Sequence, residues 1–331
     1  MHSKPRTLIL ESMYHQAGLD LLAQFTDLMI LEGATETRII SAIKDASAVF
    51  VRYPSKLSAT AIKSSENVVV VSTSGRGTDS IDLEAASAAG IAVVNNPGVG
   101  RIPVSEHTLA LLLELAKQVR LSDREIRAGG GFGQGAISRR FHLQGRSIGI
   151  IGCGDIGAEV ARKCSVGFGM DVFVYDPFIS ELPSSIGPAK QLKSLDEMLP
   201  LADFISVHAE LNELTTKMVD RSFLKSMRKD AYFLNTARGG IVCQSDLVEA
   251  LKENWIAGAA LDVFEEEPIP FESPLNRLDN LVMTAHTAGL TVEARKELSL
   301  SAASQILQVL RGKKPKHLVN PNIWRSTAPL I

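Results

Sequence analysis

The sequence predicts an α/β protein built on parallel β-sheets, and three observations support this prediction. Strand-like and helix-like segments alternate along the whole chain, as they do where helices connect parallel strands. The 331 residues are too many for one ordinary core and sufficient for two domains. A glycine motif in mid-chain, flanked by a strand and a helix, is typical of one particular parallel unit.

Short apolar runs predict the individual strands. In the first part of the chain they are Thr7–Leu10, Ala48–Val51, Val68–Ser72 and Ala92–Asn95, with helical patterns between them at Ile39–Lys44 and Asp82–Ala89. In the later part they are Ser147–Ile151, Val172–Asp176, Phe204–His208, Tyr232–Asn235, Gly258–Asp262 and Leu281–Thr284. The chain therefore holds two halves of the same parallel type.

A strongly apolar helical pattern over Val104–Lys117 connects the two halves, and Pro103 suits its start. It is more apolar than a surface helix requires, so it is buried either within its own domain or in a subunit interface. The following Gly129–Gly135 stretch reads as a flexible connection. It is not a phosphate loop, because no strand precedes it and no Lys-Ser/Thr follows. A last helical pattern, Thr291–Gly312, is expected to return to the first domain.

The glycine motif is Gly152-Cys153-Gly154-Asp155-Ile156-Gly157, which has the form G-x-G-x-x-G. The strand Ser147–Ile151 precedes it and a helical pattern, Ala158–Lys163, follows. The first glycine permits a tight turn, the second lets the backbone approach a pyrophosphate, and the third lets helix and strand pack closely. The free N–H groups of the helix N-terminus then bind the phosphates. This context predicts a dinucleotide-binding unit.

Asp176 ends the next strand, nineteen residues past Gly157, and indicates which dinucleotide is bound. A carboxylate there accepts hydrogen bonds from the adenine ribose hydroxyls and repels a 2′-phosphate. No arginine stands among the next residues, Pro177–Ser180. We therefore predict NAD(H) rather than NADP(H).

Composition excludes several other classes of protein. A net charge of −2 gives no support for binding nucleic acid or a membrane surface. The cysteines Cys153, Cys164 and Cys243 are too few and scattered for a disulfide framework or a metal site. No signal-peptide pattern and no run of about 20 apolar residues is present, so a reducing cytoplasm is expected.

Three segments carry polar residues just after predicted strands: Asn235–Gly240, Leu261–Pro268 and Met283–Gly289. In an open parallel sheet, ligands bind beyond the carboxyl ends of the strands. Each residue alone has an ordinary interpretation: a strand-end arginine as a surface ion-pair partner, a histidine or an acidic run as solvated. As an ordered set behind a dinucleotide unit, they favour catalysis.

These segments resemble the D-isomer-specific 2-hydroxyacid dehydrogenase family over nearly the whole chain. The family's N-T-[AS]-R-G, D-V-F-x-x-E-P and P-H-x-[GA]-G signatures match Asn235–Gly239, Asp262–Pro268 and Ala285–Gly289, with Ala285 where proline is usual. The earlier G-x-G-x-D-x-I-D stretch matches Gly75–Asp82.

The resemblance implies roles for individual residues. Arg238 would bind the substrate carboxylate and keto oxygen, His286 would be the acid/base, and Glu267 would orient it. The cofactor would be NAD, contacted by Gly152, Gly154, Asp155, Ile156, Gly157, Asp176, His208, Thr236, Ala237 and Asp262. The substrate would contact Arg52, Ser74, Gly75, Arg76 and Gly77. No metal is implied.

The resemblance also implies the domain organisation. An NAD-binding Rossmann domain, 104–290, would be inserted in a flavodoxin-like substrate-binding domain formed by 1–103 and 291–331. The expected assembly is a homodimer. The chain ends soon after the returning helix, so feedback through the extra regulatory domain of some phosphoglycerate dehydrogenases is not expected.

Departures from the family pattern leave the substrate open. Gly100 stands where asparagine is usual, Arg76 intervenes in the glycine stretch, and Phe132 is the nearest equivalent of a usual tryptophan. Arg52, Arg76, Arg101 and Arg238 together would suit a second anionic group, as in 3-phosphoglycerate. Alternatively, Arg76 and Arg101 point to solvent or bind the NAD pyrophosphate.

Other functions remain open beside this one. Hydroxypyruvate, glyoxylate and D-lactate stay possible substrates, and so does a reductase of broad specificity. A further alternative is an NAD(H)-sensing corepressor on the same fold. Long disordered tails would favour the corepressor, and the sequence has none.

Overall fold

The computed structural model describes residues 4–130, 140–325 and 329–331. The chain divides into two compact units: the first combines Met1–Gly100 with Leu290–Ile331, and the second spans Arg101–Gly289. The predicted glycine-rich connection from residue 131 onward, including Phe132, lies outside the described residues. Within the described ranges, no helix is both long and apolar enough to cross a bilayer.

The described residues form twelve strands and eleven α-helices, numbered in chain order. The strands are β1 (Arg6–Leu10), β2 (Asp27–Leu31), β3 (Ala48–Val51), β4 (Val70–Thr73), β5 (Ala92–Val94), β6 (Ser147–Ile151), β7 (Asp171–Tyr175), β8 (Lys190–Gln191), β9 (Phe204–Val207), β10 (Tyr232–Asn235), β11 (Gly258–Leu261) and β12 (Leu281–Met283). The helices are α1 (Gln16–Ala23), α2 (Glu36–Ile43), α3 (Ala59–Lys63), α4 (Leu83–Ala88), α5 (Arg101–Lys117), α6 (Val119–Arg127), α7 (Asp155–Arg162), α8 (Leu195–Met198), α9 (Arg221–Ser226), α10 (Gln244–Lys252) and α11 (Val292–Leu310).

The first unit contains a five-stranded sheet in the order β2-β1-β3-β4-β5, with every neighbouring pair parallel. The winding direction reverses between β1 and β3, which is the flavodoxin-like arrangement. In such sheets the crevice at the reversal, beyond the carboxyl ends of the strands, is the usual place for a ligand.

The second unit contains a seven-stranded parallel sheet in the order β12-β11-β10-β9-β6-β7-β8. Its winding reverses between β6 and β9, as in a Rossmann fold. The α/β prediction with two doubly wound units is therefore confirmed.

Both faces of the first sheet are buried, because successive strand residues point to opposite sides. Leu8 and Leu10 belong to one apolar layer, together with Ile43 of α2. Ile9 belongs to the opposite layer, together with Ile306 of α11. Burying each such side chain contributes about 1.5–3 kcal/mol. The last helix of the chain thus completes the core of the first unit.

Two strands escaped the sequence prediction, and both are edge strands. In β2, Ile30 is 44% exposed, so its apolar run is only partly buried. Strand β8 has two residues and shows no alternation that a pattern can detect. The sequence patterns also do not identify several of the shorter helices, among them α1, α3 and α6.

The connecting helix was predicted to start after Pro103, and this boundary was wrong. Helix α5 begins at Arg101 and includes Pro103 in its first turn. A proline is tolerated there, because the first four N–H groups of a helix have no intrahelical acceptor. Leu111, Leu112 and Leu115 are buried within the second unit, against α7 and the sheet. Burial in its own domain, one of the two alternatives, is thus observed.

Candidate active site

The first and third glycines of the motif are required by the packing of the protein itself. A Cβ on Gly157 would lie 2.0 Å from the carbonyl oxygen of Gly152. A Cβ on Gly152 would lie 2.9 Å from the backbone nitrogen of Ala209, and Gly152 also has a φ of +89°. Any side chain at either position would force strand β6, helix α7 and the end of β9 apart.

No packing contact requires glycine at position 154, the second glycine of the motif. A bound pyrophosphate would explain the absence of a side chain there. A Cβ on Gly154 would meet no atom within 4 Å. Gly154 is the N-cap of α7, and no side chain caps this terminus. The N-terminus therefore presents the backbone of Gly154, Asp155 and Ile156 and the positive end of the helix dipole to open space. These residues fit the phosphates of a dinucleotide, with glycine leaving the space that they need.

Asp176 directly follows β7 and is fixed against the glycine motif. Its Oδ2 accepts a hydrogen bond from the Cys153 N–H at 2.8 Å, and its Oδ1 accepts one from the Phe178 N–H at 2.9 Å. Burial, followed by the charge of Asp176, raises the pKa of the Cys153 thiol. The thiol is therefore un-ionised at neutral pH, and the Asp176 carboxylate lies against the backbone of the glycine motif.

His208 lies across the reversal point from the glycine motif, at the end of β9. Its Nε2 lies 2.9 Å from the Ser206 hydroxyl. Burial lowers the pKa of His208 to about 4, so the ring is neutral at pH 7. The residue therefore contributes a neutral polar ring beside the motif.

The turn after β10 holds Arg238 in place. The Asn235 side chain donates to the Arg238 carbonyl at 2.9 Å and accepts from the Ala237 N–H at 3.0 Å. A Cβ on Gly239 would lie 1.9 Å from the backbone of Phe264, which explains why glycine follows the arginine. The Arg238 Nη1 donates to the Ala237 carbonyl at 2.7 Å, so the guanidinium folds back over its own turn.

The Thr236 hydroxyl lies 3.0 Å from that of Thr108 on α5, in a buried position. The side chain of Thr236 therefore faces helix α5. The cofactor contacts of Thr236 and Ala237 stay predictions.

Glu267 and His286 form a hydrogen-bonded pair, with 2.7 Å between Glu267 Oε2 and His286 Nδ1. The Glu267 side chain is 17% exposed and that of His286 is 46% exposed. Burial raises the pKa of Glu267, but the hydrogen bond and charge of His286, the Phe264 N–H and Arg238 together lower it further, and the net pKa is below normal. Glu267 is therefore an ionised acceptor at neutral pH.

The second unit thus brings together the three predicted catalytic residues. Arg238 follows β10, Glu267 lies beyond β11, and His286 follows β12; these are neighbouring strands of one sheet. The carboxyl ends of parallel strands meet at one edge, and the charge of Arg238 acts on Glu267. This arrangement provides a cation for an anionic ligand beside a histidine that can transfer a proton.

In the first unit, the predicted substrate residues Ser74–Gly77 follow β4. Thr73 Oγ1 donates to the Gly77 carbonyl at 2.9 Å and accepts from the Gly75 N–H at 3.2 Å. Asn95 also donates to the Arg76 carbonyl, at 2.7 Å. Side chains therefore hold this loop at the carboxyl end of its strand.

Arg52 follows the neighbouring strand β3 and is held by three contacts. Its Nε donates to the Ser12 carbonyl at 2.6 Å, and its Nη1 donates to the Tyr53 carbonyl at 3.1 Å. The guanidinium carbon also lies 5.0 Å from the centre of the Tyr14 ring. The cation is thus fixed near the reversal point of the first sheet.

Arg101 has a carboxylate partner within the second unit. Its Nη2 donates to Glu159 Oε2 at 2.8 Å, and Glu159 is only 4% exposed. The structure therefore gives this guanidinium a role in joining α5 to α7.

Sequence reasoning missed the surroundings of Asp262, which is 1% exposed. The Thr284 hydroxyl donates to Asp262 Oδ1 at 2.6 Å, and Nε2 of His107, on α5, lies 3.6 Å from the same oxygen. His107 lies within an apolar helical pattern that gave no signal for it. No group of three or more histidine, cysteine or acidic residues suited to a metal ion occurs in the described part of the chain.

The doubly wound sheet and the glycine motif at its reversal point define a dinucleotide-binding protein. Residues 109–288 match the family model described as the NAD-binding domain of D-isomer specific 2-hydroxyacid dehydrogenases. The chain belongs to the D-isomer specific 2-hydroxyacid dehydrogenase family.

Curated relatives and solved structures agree with this family. The chain is 37% identical over 314 residues to a D-3-phosphoglycerate dehydrogenase of Methanocaldococcus jannaschii, covering 93% of this chain and 58% of that protein. It is 34% identical over 321 residues to a glyoxylate reductase of Thermofilum pendens, covering 94% and 93%. A Sinorhizobium meliloti NADPH-dependent glyoxylate/hydroxypyruvate reductase, solved with NADP and malonate, is 26% identical with a TM-score of 0.89, covering 98% and 100%.

Proposed function

We propose that this protein reduces a small 2-oxo acid to the D-2-hydroxy acid with NADH, and catalyses the reverse reaction. The observation that supports this most directly is the 2.7 Å contact between His286 Nδ1 and Glu267 Oε2. Because Glu267 occupies Nδ1, the Nε2 atom of His286 is the one left to exchange a proton with substrate.

The residues of the chain have separate tasks in this reaction. The bound cofactor supplies or accepts the hydride. Arg238 binds the substrate carboxylate and polarises the keto oxygen, because a guanidinium grips planar acceptors with two N–H groups. His286 donates a proton from Nε2 to the keto oxygen, and ionised Glu267 stabilises the imidazolium that must form before each transfer.

NADH rather than NADPH is proposed because of Asp176. Its carboxylate lies beside the glycine motif, held by the Cys153 N–H at 2.8 Å. A 2′-phosphate would meet this negative charge, whereas ribose hydroxyls would donate to it. The Sinorhizobium meliloti relative is named as NADPH-dependent, so the two cofactors must be compared directly.

We propose that the first unit binds the substrate, through Arg52 and the Ser74–Gly77 loop, and that the second unit binds the cofactor. For a second anionic group we propose Arg52 and Arg76, because both follow strand ends of the first unit, whereas Arg101 lies in the second unit and pairs with Glu159 there. The names of the relatives support two substrate classes, a phosphorylated acid and glyoxylate. A 2-oxo acid with a second anionic group is the first choice, and a broad glyoxylate/hydroxypyruvate reductase is the second.

We also propose a homodimer. Helix α6 has no buried residue, and Val119 and Ile126 are 62% and 50% exposed. Seven positions apart, these two apolar side chains share one face of α6, and a second copy of this chain packed on that face would bury them. Analytical ultracentrifugation tests this, and a monomer at micromolar concentration would contradict it.

A cytoplasmic location is proposed from the cysteines, because all three are free and a reducing compartment keeps them so.

The decisive experiment follows NADH oxidation with hydroxypyruvate, glyoxylate, pyruvate, 2-oxoglutarate and 3-phosphohydroxypyruvate, with NADPH in parallel. His286→Asn should lower kcat roughly 100-fold or more, the scale of general acid–base catalysis. His142→Asn is the matched control, because His142 is a histidine of the same unit outside the candidate site. Equal kcat in the two variants would remove the proton-transfer role of His286, whereas NADH binding with no turnover of any acid would support a dinucleotide sensor instead.

A further inference from the structure

The loop that carries His286 is fastened to one buried carboxylate. Asp262 Oδ1 accepts from the Thr284 hydroxyl at 2.6 Å and from the Thr287 N–H at 3.0 Å. Its Oδ2 accepts from the Ala288 N–H at 3.0 Å, and its backbone carbonyl accepts from the His286 N–H at 2.8 Å. Four hydrogen bonds thus converge on Asp262 from the residues around the histidine.

These hydrogen bonds hold His286 in a backbone conformation that it would rarely adopt without them. His286 has a φ of +51°, in the left-handed region that residues with a side chain rarely occupy. Such conformations persist only where surrounding contacts enforce them. The direction of the His286 ring therefore depends on Asp262 as well as on Glu267.

Helix α5 supplies the remaining contact through His107, whose Nε2 lies 2.9 Å from the Thr284 hydroxyl oxygen. The single proton of that hydroxyl points to Asp262, because an ionised carboxylate can only accept. The hydroxyl oxygen therefore accepts from His107, which must carry its proton on Nε2. The same nitrogen lies 3.6 Å from Asp262 Oδ1.

We propose that His107 is a positioning residue for the proton donor His286. It donates to Thr284, Thr284 donates to Asp262, and Asp262 holds the loop in the geometry that directs His286 Nε2 to the substrate. The inference rests on the proposed function, because it gives His107 a task only if His286 transfers the proton. It assigns catalytic importance to a helix residue that does not touch the reacting atoms.

Two matched pairs of variants test this in the full-length protein. His107→Phe removes the donor, whereas His107→Gln keeps an N–H at similar reach. Thr284→Val removes the hydroxyl, whereas Thr284→Ser keeps it. His142→Phe controls for the loss of a histidine from the same unit. The measurements are kcat, KM for the best 2-oxo acid, Kd for NADH, Tm, and the primary isotope effect with NADH deuterated at the transferred position.

His107→Phe and Thr284→Val should each lower kcat roughly 10-fold, the effect of one hydrogen bond, and leave Kd for NADH within about 2-fold. The isotope effect should rise, because a misdirected proton donor makes the chemical step more rate-limiting. His107→Gln and Thr284→Ser should retain most of kcat and the wild-type isotope effect. Unchanged kcat and isotope effect in the first two variants, with only a lower Tm, would overturn the proposal.

His286→Asn separates this failure from failure of the proposed function. If His286→Asn is inactive while His107→Phe is fully active, the positioning role is refuted and the proposed function stands. If His286→Asn keeps the wild-type kcat, the proton-transfer role of His286 is refuted and the positioning role of His107 falls with it.

Nuclear magnetic resonance on ¹⁵N-histidine-labelled protein adds a measurement that needs no turnover. The wild type should show a slowly exchanging imidazole proton on Nε2, absent in His107→Phe and fast-exchanging in Thr284→Val. A His107 ring with its proton on Nδ1 instead would contradict donation from His107 to Thr284.

Discussion

Replacing Glu159 with glutamine measures what one buried carboxylate contributes to the second unit. Glu159 is 4% exposed and accepts from Arg162 Nη2 at 2.6 Å and from Arg101 Nη2 at 2.8 Å. Lys163 Nζ lies 3.8 Å away. The Arg162 hydrogen bond, opposed by burial and reinforced by Arg101, lowers the pKa of Glu159 from 4.5 to about 2.

The size of the effect follows from this pKa. A difference of about 2.5 pH units corresponds to about 3 kcal/mol of folding free energy at neutral pH. Arg101 and Arg162 are 53% and 42% exposed, so solvent screening makes this an upper figure. For a unit of this size, we expect Glu159→Gln to lower Tm at pH 7 by roughly 5–10 °C in calorimetry.

The lowered pKa of Glu159 also predicts how the Tm difference between wild type and Glu159→Gln depends on pH. Because folding lowers the pKa of Glu159, its contribution is fully present above about pH 4.5 and is lost as the pH falls toward about 2. The Tm difference between wild type and Glu159→Gln should therefore shrink between pH 7 and pH 3. Glu181→Gln, at an exposed position of the same unit, is the control. A difference that is the same at both pH values would refute the electrostatic reasoning.

Five further substitutions test the site. Gly154→Ala should weaken NADH binding roughly 10-fold without lowering Tm, because a Cβ on Gly154 meets no atom within 4 Å. Gly157→Ala should lower Tm, because a Cβ on Gly157 would meet the backbone of Gly152, and equal Tm values for the two variants would contradict this reasoning. Asp176→Ser should weaken NADH binding roughly 10- to 100-fold and improve NADPH binding, and a wild type that prefers NADPH would disprove the assignment. Arg238→Ala should lower kcat/KM roughly 100-fold through both constants, and wild-type kinetics would remove its role. Arg76→Ala should reduce the preference for doubly anionic acids by roughly 10-fold; an unchanged ratio of kcat/KM values would exclude Arg76 from substrate binding.

Local patterns made most of the fold predictable. Ten of the strands follow from apolar runs, and the glycine motif marks where β6 meets α7, because tight turns and close approaches demand glycine in short, readable spacings. Edge strands such as β2 and β8 were missed, because an edge is only partly buried and carries a weaker signal.

The contacts around the site could not be predicted in the same way. His107 and Asp262 are 155 positions apart in sequence, and the pattern of α5 shows which face is buried but not what lies beneath it. The sequence offered Arg101 as one of four arginines that could bind an anion, and it did not show that Glu159 on α7 pairs with Arg101. Pairings of this kind depend on how separate elements pack, which a motif does not encode.

The order of the chain has a consequence for its synthesis. The second unit is continuous in sequence and can fold once residue 289 has left the ribosome. The first unit is discontinuous, because the second unit is inserted between its two segments. Until α11 emerges, the layer containing Ile9 and Phe50 has no Ile306 to cover it. During nearly two hundred residues of elongation, the nascent first unit thus exposes one face of its sheet. At about 5–20 residues per second this exposure lasts roughly 10–40 seconds, during which a chaperone that binds exposed apolar surface would bind this face.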